Sequence, residues 1–135
     1  MKDILLLGIV LFTIDMVYLR SIADHFHTQV SLVQGSRMTL DYVAAGLCYL
    51  VLVFGLYWFV VKDANLSQIQ NWNSPVLKEV MWKAALLGWV IYGVYELTSK
   101  GILKKWMWST VVMDTVWGGI LFALSVFATW YLMKL

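Results

Sequence analysis

The chain has 135 residues, of which 61% are hydrophobic and only 13% charged, with a net charge of +2. Mean hydropathy is +0.76, whereas soluble domains are about half apolar and about a quarter charged. This composition excludes an ordinary soluble domain, gives no electrostatic footprint for nucleic acid and points to the lipid bilayer as the solvent. The single cysteine, Cys48, excludes an intrachain disulfide.

The first apolar run, Ile4 to Leu19, follows Lys2. Asp15 interrupts it and no small-x-small cleavage site follows, so it reads as a retained helix over about residues 4–22 rather than a signal peptide. Helical spacing puts Gly8, Phe12, Asp15, Leu19 and Ile22 on one face, with Tyr18 beside Asp15. Ser21 to Asp41 is polar and holds Asp24, His25 and His27, with Gly35 as its breaker. It lacks a strong period and reads as part helical extension, part interfacial loop.

The second span covers about residues 42–61, the length a bilayer requires. Ala44, Cys48, Val51 and Gly55 form a stripe of mostly small residues on it, of the kind that lets helices approach closely. Lys62 and Asp63 end it. The next connection contains the only proline, Pro75, which suits the first turn of a helix capped by Ser74, with Glu79 in the first turns. Asn65-Leu66-Ser67 matches a glycosylation sequon close to the membrane end of the second span.

The third span covers about residues 76–97, with Lys83 snorkelling near its start and Ala85, Trp89, Tyr92 and Glu96 on one face. A short basic connection follows, with Lys100, Lys104 and Lys105, and with Trp106 and Trp108 as interface anchors. The fourth span covers about residues 109–132. Asp114, Gly118, Leu121, Ser125 and Ala128 make an inward seam, and Gly119 and Ala123 add a small-xxx-small pair. The fold class expected is an all-α integral membrane protein, an antiparallel four-transmembrane-helix bundle in one domain.

Three acids stand inside these apolar runs: Asp15, Glu96 and Asp114. A carboxylate at bilayer depth is turned inward, paired, protonated or functional, because its exposure to lipid costs a few kcal/mol or more. With four antiparallel passes, all three fall in the half of the bilayer nearest the first and third connections. Tyr18, Tyr92, Tyr95 and Trp117 lie at neighbouring depths. The plainer alternative is that each acid accepts hydrogen bonds and ties helices together, for about a kcal/mol each. Three acids converging on one leaflet make a polar site at least as good a reading. Carboxylates crowded in low dielectric resist simultaneous ionisation, so such a site favours a proton, a metal cation or an organic cation.

Around these acids the chain resembles the small four-helix membrane proteins of domain-of-unknown-function family 2177. That family has an aspartate late in helix one, Tyr-Asp-Leu-Thr-Asn ending helix three, and Asp-x-x-Trp-Gly in helix four. Here the three stretches are Leu11-Phe12-Thr13-Ile14-Asp15, Tyr95-Glu96-Leu97-Thr98-Ser99 and Asp114-Thr115-Val116-Trp117-Gly118. Glu96 stands for Asp and Ser99 for Asn, which lengthens one carboxylate and removes one amide. The resemblance implies the four-helix architecture and the positions of the acids. It implies no activity.

The remaining signals have plainer readings. His25 and His27 read first as interfacial histidines, with metal ligation as the alternative, since positions i and i+2 diverge on a helix. Cys48 reads as packing, the aromatic excess as interfacial belts, and the basic connection as a topological anchor. No cofactor is required by any motif. Five Lys or Arg fall on each side, so the positive-inside rule gives no orientation. Function therefore reads first as an oligomeric channel or transporter subunit for protons or cations, built on Asp15, Glu96 and Asp114, with Tyr18, Tyr92, Tyr95, Thr98, Trp117 and Gly118 in support. A non-catalytic assembly or scaffold protein is the alternative. An enzyme ranks last, because acids alone lack a positioned nucleophile. A chain this small encloses little space, so a homo-oligomer is expected.

Overall fold

A computed structural model describes residues 2–135. The described residues form helices and no strands. Helix α1 is Lys2–Ser21, α2 Ala23–Gln34, α3 Tyr42–Leu56, α4 Pro75–Ile102 and α5 Trp108–Met133. A π-turn, Tyr57–Val61, continues α3, and a short 3-10 turn spans Leu66–Gln68.

The helix ends follow local chemistry. Asp41 caps α3 by accepting the Ala44 N–H at 3.0 Å. Ser74 caps α4 by accepting the Val76 N–H at 3.2 Å, and Pro75 occupies the first turn, where its missing N–H costs nothing. Gly35 ends α2 in the left-handed region at φ 73°, its N–H bonded to the Ser31 carbonyl. The polar first connection is thus mostly helix: α2 follows α1 almost without a break, Ile22 and Phe26 carrying the i→i−4 bonds across the joint.

Three segments have the length and apolarity to cross a membrane: Lys2–Ser21, Tyr42–Val61 and Trp108–Met133. Helix α4 is the longest, at 28 residues or about 42 Å. It is less apolar because Lys78, Glu79, Lys83, Glu96 and Lys100 lie along it. It runs five residues beyond the expected end at Leu97, absorbing half of the connection that the basic residues suggested.

Neighbouring helices run antiparallel. In the α4–α5 pair, Gly88 meets Gly118, and Gly93 meets Thr115. A Cβ at Gly88 would collide with the Gly118 carbonyl, one at Gly118 with the Tyr92 ring and one at Gly119 with the Trp89 indole. Backbone contact this close is what small residues permit between membrane helices. Gly119 therefore serves packing within the chain, which removes it as a surface for self-association. Helix α1 packs on α5 through Asp15–Trp117 and on α3 through Gly8–Val53.

The inward face of α1 differs from the expected one. Leu7, Leu11 and Asp15 are buried, while Phe12 is 46% exposed and rests edge-on against Tyr49. The apolar core, including Leu7, Leu11, Leu56, Leu77, Leu121, Phe122 and Val126, fills the half of the bundle nearest the 57–74 connection. There the Trp130 indole N–H donates to the Ile69 carbonyl at 2.9 Å and holds that connection onto α5. The other half of the bundle interior is polar.

Candidate carboxylate site

Asp15, Glu96 and Asp114 come from α1, α4 and α5 and are all buried, at 6%, 0% and 6% exposure. Glu96 neighbours Asp114, and Tyr18 and Trp117 link Asp114 to Asp15 across α1 and α5. The one ion pair among the described residues is Lys83–Glu79, at 3.3 Å on the surface. The three acids thus have no basic partner. Burial without charge compensation is the costly arrangement, and hydrogen bonds are what offset it here.

Asp15 and Asp114 are held by a reciprocal clasp. The Trp117 indole N–H on α5 donates to Asp15 Oδ1 on α1 at 2.9 Å. The Tyr18 hydroxyl on α1 donates to Asp114 Oδ1 on α5 at 3.4 Å. Between these bonds the two rings stack, with centroids 4.3 Å apart and planes 10° from parallel. Each helix contributes an acid and, three residues later, an aromatic donor, so antiparallel packing sets each donor against the other helix's acid. The repeated spacing Asp15–Tyr18 and Asp114–Trp117 was the sequence signal for this pairing. The Tyr49 hydroxyl of α3 donates to the second oxygen of Asp15. Tyr49 was not singled out in the sequence, although a tyrosine in mid-span carries a polar tip that needs a partner.

Glu96 is held differently. The Trp106 indole N–H donates to its Oε1 at 2.8 Å. Trp106 is only 5% exposed, so it is no interface anchor: the 103–107 turn folds it back over the end of α4. Trp108, by contrast, is 61% exposed. Glu96 Oε2 is buried and no donor reaches it except what the neighbouring Asp114 carboxyl can supply.

The turn that delivers Trp106 is fastened by a residue the sequence did not single out. Gln29 of α2 is fully buried. Its Oε1 accepts from the Met107 N–H at 3.0 Å and from the Thr110 hydroxyl at 2.8 Å, and its Nε2 donates to the Lys105 carbonyl at 3.1 Å. Helix α5 thus receives its N-terminal cap from a distant helix. His25 Nε2 lies 2.8 Å from the same Thr110 oxygen. That hydroxyl proton is committed to Gln29, so the imidazole N–H donates.

Of the supporting residues, Tyr18, Trp117 and Gly118 lie in or against the cluster. Tyr92 packs its ring on Gly118 and lines a cleft together with Asp114. Tyr95 is 56% exposed and faces the Trp106 ring edge-on, centroids 6.4 Å apart. Thr98 is exposed and stands apart from the acids. His25 is engaged at Thr110, and His27 is exposed in a surface hollow with Arg37. Among the described residues, no three His, Cys, Asp or Glu side chains are placed to hold a metal ion.

Exposed apolar side chains clothe all four long helices, among them Leu5, Ile9 and Val17 on α1, Leu50 and Phe59 on α3, Val90 and Val94 on α4, and Val112 and Val116 on α5. Water would penalise that surface and lipid does not. With three helices able to cross a bilayer, the chain is an all-helical, multi-pass integral membrane protein. The family model described as "Predicted membrane protein (DUF2177)" matches residues 1–131, and the chain belongs to that family. No curated protein and no solved structure matches it.

Proposed function

We propose that the chain is a four-pass membrane protein whose buried carboxylates form the proton or cation site of a channel or transporter. Helix α4 completes the fourth pass: it is longer than the hydrocarbon core, about 30 Å thick, and carries the same exposed apolar band as its neighbours. Both termini then lie on one side. One observation carries the functional reading. Three carboxyl groups from three helices are buried with no basic partner, and Glu96 neighbours Asp114 so closely that only the Asp114 carboxyl can reach its buried Oε2. Negative charge so placed repels itself strongly in low dielectric, and a proton or bound cation relieves it.

A conducting path would form between copies, because the bundle interior is filled. The stripe Ala44, Cys48, Val51 and Gly55 on α3 supports this, since it stays largely exposed and a Cβ at Gly46 or Gly55 would meet no neighbour.

A second reading has its own observation. The bonds from Trp117, Tyr18 and Tyr49 cross between helices, as expected of acids that serve only assembly. Asp114→Asn separates the two readings, since the amide keeps the shape but cannot ionise. In proteoliposomes it abolishes proton or cation flux while the protein still assembles. Unchanged flux with a lowered thermal midpoint would leave the assembly reading standing instead.

A further inference from the structure

A cleft of about 320 Å³ lies between α3 and α4. Cys48 and Leu52 form one wall, Ile91, Tyr92 and Tyr95 the other, and Asp114 of α5 its floor. Cys48 and Tyr95 are exposed at its mouth, beside the exposed apolar side chains Leu47, Val51 and Val94. Its walls are apolar and its only acidic side chain is Asp114. Glu96 neighbours Asp114 but does not itself line the cleft.

We propose that this cleft binds a lipophilic ammonium, with the alkyl body between α3 and α4 and the nitrogen at the Asp114 carboxylate. The proposal names the substrate class for the cation reading above and rests on it. Charge complementarity selects the occupant. A carboxylate or phosphate ligand would meet Asp114 with no cation to offset it. A bare metal ion would find too few ligands, since no three candidate groups converge among the described residues. An ammonium supplies the missing positive charge and N–H donors, and the Tyr92 and Tyr95 rings add faces for cation–π contact. The volume lies near the lower end of small-molecule sites, about 300 to 1,000 Å³, which suits one alkyl chain or small ring. A second groove, of about 480 Å³ between α1 and α3, is lined by Leu5, Ile9, Phe12, Leu50 and Phe54 and bears no acidic or basic side chain. It suits any hydrocarbon, so discrimination for the ammonium belongs to the cleft with Asp114.

Scintillation-proximity binding of tritiated decylamine to the full chain in lipid nanodiscs, with empty discs subtracted, tests this. The expected result is saturable binding, displaced by unlabelled decylamine and not by decanol or decanoate. Asp114→Asn and Cys48→Trp each weaken it at least tenfold, the first by removing the charge, the second by filling the mouth. Cys48 is exposed, so the larger ring requires no repacking of the core, and that variant decides the matter if Asp114→Asn fails to assemble. Absence of saturable binding, equal displacement by decanol, or binding unchanged in Cys48→Trp would overturn the proposal. Flux through the same protein is read separately: lost flux in Asp114→Asn with unchanged decylamine binding overturns the cleft and keeps the cation site. The reverse pattern keeps the cleft and overturns transport.

Discussion

Two residues outside the acid motifs hold the cluster's outer end. Trp106 supplies the hydrogen bond to Glu96 and covers it. Trp106→Phe keeps the ring's bulk and removes the N–H, leaving buried Glu96 Oε1 without its donor. The expected loss is about 1 to 3 kcal/mol, read as a lowered thermal midpoint in nanodiscs, with Trp108→Phe nearly silent because that ring is exposed. Gln29 makes three bonds to the turn before α5. Gln29→Leu fills the same space but strands the Met107 N–H and the Lys105 carbonyl. It is expected to destabilise by a similar amount, about 1 to 3 kcal/mol, and to raise hydrogen exchange at residues 103–110. The acids themselves were legible because a charge in an apolar run is conspicuous. Trp106 was not, since a tryptophan among lysines is equally the mark of a membrane-interface anchor. Only the direction of the turn separates the two roles.

At the scale of the helices, the α4–α5 contact sets how near Glu96 comes to Asp114. Gly88 faces the Gly118 backbone with no room for a methyl group. Gly88→Ala is expected to force the pair apart and to lower the thermal midpoint sharply, whereas Gly46→Ala, with open space around it, is expected to leave stability unchanged or raise it slightly through helix propensity. Equal effects of the two variants would refute close packing as the device that joins the acids. The seam Asp114, Gly118, Leu121, Ser125 and Ala128 was readable from alternating three- and four-residue spacing; the first four are buried and Ala128 is half-buried. The face of α1 was less readable. Almost every residue in that run is apolar, so periodicity carries little contrast in lipid: Leu7, Leu11 and Asp15 are buried and Gly8 packs on α3, whereas Phe12 is exposed. Gly88 gave no signal beyond being a glycine. Its meaning depends on which glycine of α5 it meets.

For the whole molecule, the proposed four passes place both termini on one side of the membrane. Single cysteines introduced near residues 3 and 134 in a Cys48→Ser background should react with an impermeant maleimide from the same face of sealed vesicles. Labelling from opposite faces would mean that α4 does not cross, and the acids would no longer share a leaflet. The polar half of the bundle would also lose its cover, because α4 provides Glu96, Tyr92 and one wall of the cleft.

Composition and hydrophobic runs determined by themselves that this chain lives in a membrane as helices, and where three buried charges sit along it. Those conclusions rest on transfer free energies, which sum over residues and require no knowledge of neighbours. What only the tertiary structure decided is partnership: Trp117 with Asp15, Tyr18 with Asp114, Trp106 with Glu96, Gln29 with the start of α5, and the cleft that joins α3 and α4 to Asp114. Hydrogen bonds and close contacts act over a few ångströms, so they depend on helix rotation and on the path of one turn. A run of apolar residues that any lipid-facing surface would accept leaves both of these undetermined.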